Sequence, residues 1–106
     1  MKVEKIISVV DAMKPNDINE ETKLFWLNEV EGRVGCEIRR KKVGEVRELV
    51  SVDDELSVLE PYSRIYSLYL IAMRSFVCGD YENYTKTVAD FEHEISNYSR
   101  YVIRNR

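Results

Sequence analysis

The chain has 106 residues, 44% of them hydrophobic and 33% charged, and its 16 Lys and Arg against 19 Asp and Glu leave a net charge of only −3. That balance excludes disorder, and the length suits one globular domain able to bury a real core. Two cysteines, Cys36 and Cys78, are too few for a disulfide framework and lack metal-ligand spacing, so both are expected to be buried, reduced thiols of a cytoplasmic protein.

In chain order, Ile6, Val9, Val10 and Met13 recur at helical spacing and predict a first helix over about Val3 to Met13. Pro15 ends it. Asn16, Asp17 and Asn19 offer capping oxygens, and Glu20 and Glu21 suit the positive end of a helix dipole. The second helix is therefore expected from about Asn19 to Arg40, with Leu24, Leu27, Val30 or Glu31, Val34 and Ile38 as its stripe and Trp26 beside it. Gly32 and Gly35 lie inside it, where surviving glycines commonly admit another backbone.

From Lys41 to Glu60 the helical period lapses, and Glu45 to Val52 reads as a brief strand or an ordered arm. Pro61 suits the first position of a third helix, with Ile65, Leu68, Tyr69, Ala72 and Phe76 on its buried side and Gly79 as its end. Asp80 can cap a fourth helix reaching about Arg104, striped by Tyr84, Val88, Phe91, Ile95, Tyr98 and Val102. The expectation is an all-α fold: one domain over 1–106, a small bundle of about four helices with a long connecting arm, about 41–60, between helices two and three. Trp26, Leu27, Val34, Tyr69, Phe76 and Phe91 are its expected core anchors.

Site chemistry is sparse. His93 is the one histidine, and with Asp90 three residues earlier it makes half a di-iron motif without a second half. The cysteines sit in apolar helical context without a partner to lower their pKa, and no phosphate-cradling glycine loop exists. An enzyme is not expected, nor a catalytic site, cofactor or metal. The apolar run at 65–78 is too short to span a bilayer and is broken by Arg74, so no membrane partner is expected. Seven tyrosines, mostly in the second half, read as rings packing helix against helix with hydroxyls at the rim or on a partner chain.

Charge is segregated: residues 32–48 sum to +3 and 49–60 to −4. The basic run Arg39, Arg40, Lys41, Lys42 is followed by the acidic cluster Asp53, Asp54, Glu55. Adjacent patches of opposite sign suit protein partners better than a DNA groove.

Three segments together resemble the head-tail connector (adaptor) family of tailed bacteriophages. They are Lys14-Pro15-Asn16 with the run from Lys23 to Val34, then Leu59-Glu60-Pro61-Tyr62 with Tyr66, Tyr69 and Leu70, and last Gly79-Asp80-Tyr81-Glu82-Asn83-Tyr84 with Phe91, Tyr98 and Arg104. They follow the family's order over roughly four fifths of the chain. The resemblance implies a structural virion protein of a phage or prophage, present in the host cytoplasm during assembly, that joins the portal of the DNA-filled head to the tail as a ring. Its implied partners are copies of itself, the portal, a tail-side or stopper protein, and packaged DNA in the channel. The alternative is a regulatory helical-bundle protein that binds DNA or another protein. On the connector reading, the arm from Arg39 to Glu60 mediates assembly while contributing little to the subunit's own fold. Arg39, Arg40, Lys41 and Lys42 of one subunit would meet Asp53, Asp54 and Glu55 of the next.

Overall fold

Helix formation follows the apolar stripes closely. The computed structural model describes residues 1–105 and contains α1 (Val3–Met13), α2 (Glu20–Arg33), α3 (Arg64–Val77) and α4 (Tyr81–Arg104), a small all-α bundle with its long connection between α2 and α3. In α1 the buried residues are Val3, Ile6 and Val10, whereas Val9 and Met13, expected on the buried stripe, are exposed. Ile6 and Val10 fit either stripe, and packing against α3 selects the one containing Val3.

Pro15 stops α1, and Asn16 closes the joint by donating to Lys14 O at 2.9 Å and accepting from Ile18 N at 3.1 Å. Asn19 then caps α2 through Thr22 N at 2.8 Å. Beneath this joint the Lys23 ammonium, nearly buried, meets Asp11 at 2.8 Å. The helix is shorter than expected: α geometry ends at Arg33, and one wider π turn, Val34–Ile38, completes it. Gly35 lies in that turn, where a Cβ would stand 2.6 Å from a methyl carbon of Val46. The missing side chain therefore admits a side chain of the arm. At Gly32 nothing would meet a Cβ, so the close approach expected at both glycines occurs at one.

Pro61 does not open α3 as expected. Short bonds from Tyr62 N to Leu59 O (3.0 Å) and from Tyr66 N to Ser63 O (3.1 Å) wind a tighter turn first, and α geometry begins at Arg64. The buried face is Ile65, Leu68, Ala72 and Ser75, joined by Tyr66 and Leu70. This corrects the placement of Phe76, which is 48% exposed because Ser75 takes the inward position at its level. Its ring instead leans on Tyr81 and Tyr84 at the bundle tip. Gly79, at φ +79°, ends the helix in a Schellman turn, with Gly79 N bonded to Phe76 O and Asp80 N to Ser75 O. Asp80 then caps α4 through Asn83 N at 3.2 Å. Cys36 is half-buried and Cys78 exposed, against the expectation that both are buried.

α3 and α4 pack most extensively on each other, with α2 and α1 laid against α3. Trp26, Leu27, Val34 and Phe91 are buried core residues, and Tyr69 is half-buried against the Phe91 ring at 5.1 Å.

The arm departs most from expectation. No strand forms along Glu45 to Val52 among the described residues; the arm is ordered backbone with a single bridge between Lys2 and Glu55. It also belongs to the core, since Leu49, Leu56 and Val58 are 3%, 2% and 0% exposed. Its carbonyls at Asp54 and Val52 accept from Val3 N (3.0 Å) and Glu4 N (2.9 Å), filling the unpaired amides that begin α1, where Lys2 supplies no side-chain cap. The expectation that the arm contributes little to the fold is thus corrected.

Leu27 is fully buried, so Leu27→Ala is expected to cost about 2 to 5 kcal/mol in urea titration. A loss below about 0.5 kcal/mol would be inconsistent with this packing.

Candidate interaction surface

One charged residue of the α2 stripe points inward. Glu31 is 6% exposed, and its carboxylate accepts from Ser57 N and Ser57 Oγ, both at 3.0 Å, and from the Tyr66 hydroxyl. That hydroxyl also accepts from Val58 N at 2.9 Å. α2, the arm and α3 therefore meet on one carboxylate. Burial, and then the negative charge of Glu31, push the Tyr66 hydroxyl far above its usual range. A second tie is reciprocal: Asn28 Nδ2 donates to Leu49 O at 2.9 Å and its Oδ1 accepts from Leu49 N at 2.7 Å.

The third tie is Arg39. Its Nη2 donates to Ser57 O at 2.8 Å and to the Tyr98 hydroxyl at 2.7 Å, with the guanidinium 5.9 Å from the Tyr98 ring centre. Arg39 lines a groove of about 470 Å³ together with Ser57, Leu59, Glu60, Pro61 and the rings of Tyr62, Tyr98 and Tyr101. Tyr62 sits 5.5 Å from Tyr98 and 5.0 Å from Tyr101, centre to centre, so three rings form one continuous wall. The tyrosines of the second half do pack between elements, as expected.

The seven charged residues expected at a subunit contact have different fates. Arg39 is held inside the chain. Asp54 accepts from Val50 N (2.8 Å) and Ser51 N (3.0 Å) and pairs with Arg47 at 3.2 Å, while Glu55 pairs with the N-terminal ammonium at 3.0 Å. Arg40, Lys41, Lys42 and Asp53 are exposed. Arg40 stands at φ +58°, in the turn that carries the chain from the end of α2 into the arm.

His93 and Asp90 are both exposed on α4, and among the described residues no three His, Cys, Asp or Glu side chains converge on a metal-sized point. No described helix is long and apolar enough to cross a membrane. The sequence offered Glu31 as an alternative to Val30 on the buried stripe without giving it a role, and it passed over Asn28 and Arg33, the last in a forked pair with Glu92 at 2.6 and 2.7 Å. A carboxylate in register with Leu24, Leu27, Val34 and Ile38 was the available signal for Glu31. Its partners lie 26 and 35 residues away. No protein-family model matches the chain, and comparison with curated proteins and with solved structures gives no match.

Glu31→Gln keeps the shape of the side chain but turns a donor toward donors, and is expected to cost about 2 to 4 kcal/mol in urea titration. The exposed Glu48→Gln is expected to stay within about 0.5 kcal/mol; equal effects would refute the clasp. The Arg33 guanidinium holds Glu92 below its ordinary 4.5, and the Val50 and Ser51 amides hold Asp54 below its ordinary 3.8. Such carboxylates bind fewer protons folded than unfolded, so their stabilisation is present above those values and lost as pH falls through the lower folded ones. Glu92→Gln and Asp54→Asn are each expected to flatten the acid-side decline in stability, read as urea midpoints on both sides of pH 4. Declines as steep as the wild type's would contradict this.

Proposed function

We propose that the chain is a structural virion protein of a tailed phage or prophage that joins the portal of the filled head to the tail as one subunit of a ring. The support lies in where the resembling residues stand. Each of the three segments falls at a joint and does specific work there: Pro15 and Asn16 turn α1 into α2, Pro61 and Tyr62 lead into α3, and Gly79 with Asp80 closes α3 and caps α4.

A ring needs two different faces on each subunit. The exposed basic turn Arg40–Lys42 offers a rim contact for an acidic neighbour, and such exposed pairs set register and association rate more than affinity. Asp54 and Glu55 are spent inside the subunit, leaving Asp53 as the exposed acid of its cluster. The regulatory DNA-binding alternative would place a basic recognition helix after a turn. Here the basic run lies in a turn, and the α1–α2 joint leads into acidic Glu20 and Glu21.

Deleting the chain from its phage is expected to yield DNA-filled heads and free tails under electron microscopy, with tails joined again on complementation. Tailed particles without it would overturn the proposal. In the complemented phage, Lys41→Glu with Lys42→Glu is expected to lower tail joining while leaving the melting temperature unchanged; normal joining would remove the basic turn from the contact.

A further inference from the structure

We propose that Arg40 anchors the contact between neighbouring copies: an arginine held for a partner's carboxylate at a position where the fold itself would be better served by glycine. The proposal rests on the ring reading and names the residue on which one face of the contact turns.

Two helices of the chain end with the same device. At the end of α3 the first residue past the cap, Gly79, stands at φ +79°, and the next amide, Asp80 N, bonds back to Ser75 O at 2.9 Å. At the end of the π turn that completes α2, the first residue past the cap is Arg40, at φ +58°, and the next amide, Lys41 N, bonds back to Gly35 O at 2.9 Å. The left-handed region is open to glycine, whereas a Cβ there crowds the following carbonyl. Four residues on, Gly44 stands outside that region with open space beside it. The turn thus has its glycine where any residue would serve and an arginine where glycine is favoured.

The chain's own contacts do not account for this. The Arg40 side chain is exposed and makes no hydrogen bond, ion pair or ring contact among the described residues. It therefore does not bond the last carbonyls of the helix, an ordinary use of a cation at that end. Its neighbour Arg39, by contrast, is held by Ser57 O and the Tyr98 hydroxyl. Backbone strain kept at an exposed position with no internal partner points to a functional side chain.

The charge around the turn selects the partner. Lys41 and Lys42 extend the positive surface, and Glu45 is turned back to accept from Lys42 N at 3.1 Å. Residues 32–48 sum to +3 in a chain of net −3, so the remainder of a second copy presents an excess of acid to this turn. The phosphates of a nucleic acid would be repelled by that same excess. A guanidinium grips a carboxylate through two parallel N–H donors, which an ammonium does not. Arg40 accordingly holds a carboxylate of the next copy, and the two lysines steer it in.

Melting and sedimentation of the full chain test this with Arg40→Gly, Arg40→Ala and Arg40→Lys. The wild type is expected to self-associate with rising concentration. Arg40→Gly is expected to melt about 2 to 5 °C higher while its self-association weakens at least tenfold in Kd. Arg40→Ala removes the charge but keeps the Cβ, so it is expected to lose association without gaining stability. Arg40→Lys is expected to melt as the wild type does and to recover part of the association. Stability gained while association is lost cannot come from damage to the fold. A glycine variant that melts no higher than the wild type, or no higher than the alanine variant, would overturn the strain. A wild type monomeric at every concentration, or a glycine variant that associates normally, would overturn the contact, as would duplex DNA bound by the wild type and released by Arg40→Gly with self-association intact. The ring reading fails separately, on tails that join in the absence of the chain.

Discussion

The fold depends on one buried carboxylate. Glu31 is taken almost wholly out of water, which for an ion costs several kcal/mol unless its lone pairs are filled. Ser57 supplies two donors and Tyr66 a third. Those donors come from the arm and from α3, so the carboxylate is satisfied only when both have closed on α2. An unpaired charge at this position would be worse than an apolar side chain, and that asymmetry makes the arrangement of the three elements specific rather than merely compact.

The rest of the arm's path follows from that clasp. With Ser57 fixed, Leu56 and Val58 fall on either side of it into the core, and Val58 N is satisfied by the same tyrosine hydroxyl. Upstream, Asn28 fixes Leu49, and Gly35 makes room for Val46. Between these points the backbone passes the start of α1 and supplies the acceptors its first amides lack. A segment whose one regular element is the short 3-10 turn Val43–Glu45 thereby holds three helices together. Its backbone groups are satisfied by partners from every side rather than by a ladder of its own.

The surface left over is where the proposed assembly acts. Because Arg39, Asp54 and Glu55 are used to hold the arm, fewer of its charges remain for a partner than the sequence suggests. The tyrosine groove lies where the end of the arm meets α4, and Phe25 stands on the acidic half of α2.

By itself the sequence determined what local rules govern. Both ends of α1, the Asn19 and Asp80 caps, the Gly79 turn and the number of helices follow from capping chemistry and 3.6-residue periodicity, which act over a few residues, whereas the end of α2 and the start of α3 do not. Leu27, Val34 and Phe91 were legible as core for the same reason. Only the tertiary structure decided which of two overlapping stripes α1 buries, that Ser75 rather than Phe76 turns inward on α3, and that the arm is core. It also decided the role of the charges. A carboxylate on an apolar stripe has no local reading until Ser57 and Tyr66 arrive from 26 and 35 residues away. A basic run next to an acidic one likewise looks like an interface until each charge is seen to have, or to lack, a partner within its own chain.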